Sequence, residues 1–231
     1  MTEQIDRKPM FLYFNVQLQM RRWICGGTPK SPDTIEKWIQ AALSDDSRID
    51  TLIAEAKDAM GTEKLSEGDV EALKNAAWNG FRSDDDGLYI ETRCVKAMFK
   101  ESANVIKDVL GLSAFKARVA ERVFVMGDRI HLDTDIPSGT YDSMVHAMTP
   151  RGPISALKRT DYVERPLIEC RLKVLNDGIK LAGGKGKMHP SEYLPAILEH
   201  ACENGLGADR SQGHGQFDVV EFAEDTPSRY V

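Results

Sequence analysis

The chain has no Cys-x-x-Cys pair, no histidines at metal-ligand spacing and no apolar run long enough to span a membrane. The first two absences exclude the common zinc-ribbon, zinc-finger and dithiol redox motifs, so neither a metal nor a cofactor is expected. Cys25, Cys94, Cys170 and Cys202 stand far apart. They read as buried free thiols of a protein in a reducing compartment. No signal-peptide pattern opens the chain, so a cytoplasmic location is expected. Aromatic residues make up only 7%, which leaves few rings for stacking. Tyr13, Trp23 and Tyr162 are the candidates for that role. No Gly-Lys-[Ser/Thr] follows any glycine cluster, so a Walker loop is excluded.

What is present is an ordinary globular composition, 42% hydrophobic and 29% charged over 231 residues. That suits one domain carrying an insertion. The formal charge of −6 is unevenly spread. Between Arg151 and Lys187 nine lysines and arginines face four acidic residues. One basic segment therefore sits inside an acidic protein.

Hydrophobic periodicity gives the elements. "PMFLYFNVQLQM" (9–20) alternates, with Leu12, Phe14, Val16, Leu18 and Met20 on one side. Residues 31–80 read as three capped amphipathic helices, the last burying Val70, Leu73 and Ala77, and they look like an insertion. A short strand at 88–90 leads into a helix with Val95, Met98, Phe99, Ile106 and Val109 as its apolar face and Thr92 as its cap. "RVFVMGDRIHLD" (122–133) reads as a hairpin turning at Gly127 and Asp128. Residues 134–162 show weak periodicity and several turn signals, the mark of a functional or mobile segment. "PLIECRLKVL" (166–175) alternates again. A helix follows over 189–205, with Pro190 near its start and Gly205 as its stop. "QFDVVEF" (216–222) is the last strand. This order is that of an α+β, ferredoxin-like split βαβ fold: an antiparallel sheet with helices on one face.

"GLGADRSQGHGQFDV" (205–219) carries four glycines, Gly205, Gly207, Gly213 and Gly215, between that helix and the last strand. A dinucleotide fingerprint needs the opposite order, strand before and helix after. The glycines permit positive φ and close approach, so backbone N–H groups could cradle a phosphate, with Arg210 adding a bidentate charge. An ordinary helix-to-strand connection is the equal alternative for the loop taken alone. His214 between two glycines and Asp33 at a helix start are the candidates for acid–base catalysis. Their plainer readings are a surface histidine and a charge on a helix dipole.

Three separated segments resemble the RAMP superfamily, the RRM-like proteins of CRISPR systems. "GLGADRSQGHGQFDV" is similar to its glycine-rich loop, with His214 at the aromatic position. "LYIETRCVKAMFKES" (88–102) resembles its "YIPGSSLKGALRE" segment, Ile90, Lys96 and Lys100 matching. "WICGG" (23–27) looks like the end of its first strand. The resemblance implies a single RRM-like domain over 1–231, with a helical insertion at 31–80 and a thumb-like basic insertion at 134–165. The nearest branch is that of effector-complex backbone subunits and similar phage proteins, which polymerise along a strand.

What the resemblance implies is a non-enzymatic subunit that binds single-stranded RNA or ssDNA, with copies of itself and other effector subunits as partners. Its contacts would be Lys96, Lys100, Met148, Arg151, Lys158, Arg159, Arg210 and the glycine loop with His214. A repeated subunit needs few phosphate contacts, because avidity along the strand multiplies them. Two alternatives stand beside it: an endoribonuclease of the same superfamily acting through His214 or Asp33, and a phage factor that engages or mimics a host complex.

Overall fold

The computed structural model describes residues 9–30, 77–149, 152–184 and 186–225, with only the backbone described at 77, 144–149 and 152–157. The expected helices of 31–76, Asp33 and Arg151 lie outside these residues, as does the side chain of Met148.

The chain forms β1 (Phe11–Met20), β2 (Trp23–Cys25), β3 (Thr28–Pro29), β4 (Ala77–Gly80), β5 (Arg82–Asp84), β6 (Gly87–Glu91), α1 (Thr92–Ile106), α2 (Phe115–Arg122), β7 (Val123–Val125) and β8 (Arg129–His131). It continues through β9 (Gly139–Thr149), β10 (Gly152–Glu164), β11 (Leu167–Leu175), β12 (Ile179–Lys180), β13 (Lys187–Met188), α3 (Pro190–Asn204) and β14 (Phe217–Glu224). The principal sheet runs β14-β1-β11-β7, and every neighbouring pair is antiparallel. Its strands stand fourth, first, third and second in the chain order of the four. That is the split βαβ arrangement the sequence implies.

The core lies between this sheet and the helices. Leu12, Phe14, Val16, Leu18 and Met20 of β1 are all 5% exposed or less, because alternation turns every second side chain toward α1 and α3. On α1 the buried positions are Val95, Met98, Phe99, Ser102 and Ala103, the spacing that keeps one helical face inward. On α3 they include Tyr193, Leu194, Ile197, Leu198 and Ala201. The backbone N–H of His189 donates to Glu192 Oε2 at 2.6 Å and fixes the start of α3. Gly205 ends it with a φ of +81°.

Four local expectations are corrected. α1 stops at Ile106, and Val109 is 85% exposed. Thr92 is the first helical residue and not the cap; its hydroxyl donates to the Gly127 carbonyl. Residues 123–131 are not a hairpin. β7 joins β11 in the principal sheet while β8 joins β6 in another, so the turn at Gly127 carries the chain between sheets. Residues 77–80 form a strand parallel to β10, not the end of a helix.

The largest difference is at 134–165. Instead of an irregular segment, β9 and β10 form an antiparallel ladder running without interruption from Gly139↔Tyr162 to Thr149↔Gly152. At its base β10 also pairs with β2 and β4. Beyond Lys158 toward the tip, β10 pairs only with β9 among the described residues. At about 3.4 Å per residue the 11 residues of β9 reach about 37 Å. The ladder is closed by backbone groups that every residue carries, so no side-chain pattern in the sequence announces it.

Candidate functional site

The glycine-rich loop is bolted to β2. The Ala208 N–H donates to Cys25 O at 3.0 Å, and the Gly215 N–H donates to Trp23 O at 2.8 Å. Leu206 N–H closes the loop on Gly215 O at 2.8 Å. Gly207 has a φ of +92°, and a side chain there would meet the Cys25 carbonyl at 2.9 Å. The N–H groups of Gln212 and Gly213 also donate within the loop. These five N–H groups donate to backbone carbonyls and hold the loop in shape.

Asp209 ties the loop to the ladder. It sits at φ +54°. Its carboxylate accepts from Tyr141 Oη at 2.5 Å, Lys158 Nζ at 2.5 Å and Thr160 Oγ1 at 3.2 Å. Burial raises the Asp209 carboxyl, but the Lys158 and Tyr141 bonds outweigh it and hold it below the ordinary carboxylate range. Burial, then Asp209, pushes the Tyr141 phenol up. On the other side Arg210 Nη1 meets Glu101 Oε2 of α1 at 2.6 Å. The loop is thus held by β2, by the β9–β10 base and by α1 together.

Trp23, Tyr141, Tyr162 and His214 form one ring cluster at this junction. Trp23 stacks on Tyr162 at 4.1 Å and on His214 at 5.2 Å. Tyr141 lies 5.2 Å from His214, and Arg22 Cζ is 4.2 Å from the indole centre. The two expected stacking candidates Trp23 and Tyr162 therefore stack on each other. Tyr13, the third, lies on β1 under the Arg171 guanidinium at 5.2 Å.

His214 takes the place of an aromatic ring in this cluster. Burial, against the pull of Asp209 and with the repulsion of Arg22, keeps its pKa below the ordinary value near 6.5. A neutral ring favoured by the fold loses stability as pH falls below that value. Replacing His214 by phenylalanine is expected to flatten the acid side of the melting-temperature curve between about pH 7 and pH 5. Thermal melts across that range check it; an unchanged pH dependence would show that His214 does not titrate against the fold.

A cleft of about 260 Å³ opens beside the loop. Gly27, Arg82, Glu91, Arg93, Gly207 and Ala208 are among its walls. All three segments that carry the family resemblance meet here: the end of the first strand, the start of α1 and the glycine loop. Two arginines share one carboxylate, Arg82 at 2.9 Å from Glu91 and Arg93 in direct contact with it, so the three side chains sum to one positive charge.

The other sequence candidates are dispersed. Lys96 Nζ donates to the Ala120 carbonyl at 2.8 Å and also to the Val119 and Val123 carbonyls at the end of α2. There its charge meets the negative end of a helix. Lys100 lines a different groove, between α1 and α2. Lys158 is committed to Asp209, with side-chain exposures of 18% and 10%. Arg159 holds Asp142 through two bonds at 2.9 and 3.2 Å and lies over Trp78 at 5.6 Å. The four cysteines are free thiols. Burial pushes Cys25 up to about 11 and Cys170 up to about 12, so neither offers a thiolate nucleophile.

Two arrangements have no signal in the sequence. Asp161, 1% exposed, accepts from Lys30 Nζ at 2.6 Å and Trp78 Nε1 at 2.7 Å, bridging three distant segments. Among the described residues, Asp84, Asp86 and His131 bring donor atoms within 4.8 Å of one another and could hold a metal. Asp84 is already bonded to Arg129 at 2.6 Å and to His131 at 3.0 Å.

No family model matches the chain, and no curated protein matches it. Among solved structures, the chain is similar to one in the cryo-EM structure of the Type III-B Cmr-beta bound to cognate target RNA. The TM-score is 0.42 at 10% identity, covering 94% of this chain and 61% of that one. This chain thus spans about three fifths of that neighbour's length. Among the described residues no helix is long and apolar enough to cross a membrane.

Proposed function

We propose that the protein is a non-enzymatic, RAMP-type subunit that binds single-stranded nucleic acid, RNA above all, and assembles with copies of itself along the strand. One observation carries the reading. The β9–β10 arm, the glycine-rich loop and the cleft joining the three family-like segments are built on a single base, stitched by Asp209. A long two-stranded arm rising beside a net-positive cleft can separate nucleotides, while its arginines hold phosphates. Arg22, Arg93, Arg151 and Arg159 are the contacts, and Lys158 and Arg210 place the loop through their ion pairs. Few contacts per subunit suffice when copies act in series.

The test is a salt series of anisotropy titrations with labelled single-stranded RNA and ssDNA. Changing Arg151 and Arg159 together to glutamine is expected to weaken binding about equally across sequences. The salt slope should fall by about 1.4, the value for two lost backbone contacts on a single strand. An unchanged slope in a folded double variant would remove the arm from the interface. The labelled strand recovered after incubation with magnesium is expected intact; defined cleavage products would favour the endoribonuclease reading instead.

A further inference from the structure

α1 presents two flanks beside its buried face. Cys94 and Glu101 lie on the flank toward the glycine loop. Lys100, Asn104 and Lys107 lie on the other, at the four- and three-residue steps that align side chains along a helix. That second flank and the start of α2 enclose a groove of about 400 Å³. Lys100, Lys107 and Lys116 line it, and no acidic side chain does. None of the ion pairs among the described residues uses these three lysines.

Several features there are unfavourable for the protein alone. Three lysines line one groove with no acidic side chain among its walls, in a chain of net charge −6. The first turn of α2 has no acidic residue and no side-chain cap, and Lys116 occupies it with the wrong sign for a helix N-terminus. Lys96 adds a fourth charge nearby, its pKa lowered by burial and then by Lys100. The small side chains of Ala114, Ala117 and Ala120 leave the groove open. A single bound anion would relieve the repulsion and complement the helix end.

We propose that this groove holds a backbone phosphate of the bound single strand, a second contact region on the helical face, separate from the arm and the glycine loop. The inference rests on the nucleic-acid reading above. A phosphodiester is the occupant the geometry fits. It offers one compact anion to three ammonium donors and the Asn104 amide, and its chain can enter and leave through an open groove.

The experiment uses the full chain and a Lys107→Gln/Lys116→Gln variant, with Lys100 kept. Among the described residues these lysines bond to no carboxylate, so the variant is expected to melt no lower than the parent. Anisotropy with a labelled oligouridylate across a salt series should show the slope falling by about 1.4. Pyrophosphate should compete for the strand more weakly against the variant than against the parent. A variant that folds, binds with the parental slope and is displaced by pyrophosphate equally well would overturn the groove while leaving the arm reading in place. Displacement of the strand by a polyglutamate peptide as readily as by pyrophosphate would also overturn it, in favour of an acidic protein partner. A parent that binds no strand at all would overturn the nucleic-acid reading and the groove with it.

Discussion

Asp209→Ala is expected to cost about 3 kcal/mol of unfolding free energy, the scale for breaking an ion pair withdrawn from water. The alanine leaves Lys158, Tyr141 and Thr160 without the acceptor they share, and the Lys158 side chain is only 18% exposed. The loss should be local as well as global. Asp209 connects the glycine-rich loop to the arm, so strand affinity should fall at least about tenfold even where the protein stays folded, which corresponds to about 1.4 kcal/mol. Urea unfolding and anisotropy titrations check the two effects. A stability loss under 1 kcal/mol would mean that Lys158 reaches water freely and the ion pair does not hold the loop.

The pH behaviour of the same residue gives a second readout. The folded Asp209 carboxyl lies below its unfolded value, so its contribution is present above the ordinary carboxylate range and is lost as pH falls through the folded value. Asp209→Asn should remove that part of the acid-induced loss. It should leave the component from His214, which lies at higher pH. Combining Asp209→Asn with Lys158→Met should cost less than the sum of the single changes, because the two residues share one interaction.

Gly215→Ala is the second large effect. Gly215 sits at φ +80°, and a methyl group there would fall on the carbonyl oxygen of Leu206, whose own N–H donates to Gly215 O. Neither group can retreat, since Gly215 N–H is held by Trp23 O. The cost is expected to be at least about 3 kcal/mol, positive-φ strain plus the displaced backbone. Gly213→Ala is the control. It has the same φ, +81°, but nothing lies within 4 Å of an added carbon, so only the conformational cost of about 1 kcal/mol applies. Equal melting temperatures for the two variants would show that the close approach of Gly215 to Leu206 does not constrain the loop.

This pair of glycines also shows what a sequence conveys. Four glycines in one loop indicate unusual backbone, and that is correct. Which of them is indispensable depends on the Leu206 and Cys25 carbonyls, and those are placed by tertiary contacts. His214 is similar. Two flanking glycines suggest an exposed and mobile histidine. The fold instead sets it against Trp23 and Tyr141, which come from parts of the chain nearly two hundred and over seventy residues away.

The elements of the principal sheet were legible because each is buried on one face. β1, β11 and α3 carry their periodicity openly, since water on one side and core on the other impose it. α2 has only Phe115 and Val119 buried, too short a stripe to stand out. β9 and β10 are joined through backbone groups that every residue owns, so their pairing left no side-chain pattern to read.

By itself, then, the sequence determined the α+β class, the order of the main elements and the segments that resemble one family. Those features follow from local periodicity and turn chemistry. Only the tertiary structure decided that Gly139–Thr149 and Gly152–Glu164 form an arm, that Lys158 answers to Asp209, that Lys96 caps a helix and that three lysines share one groove. Each of these depends on charges and hydrogen-bonding groups far apart in the chain meeting at a few ångströms, a distance that no local pattern encodes.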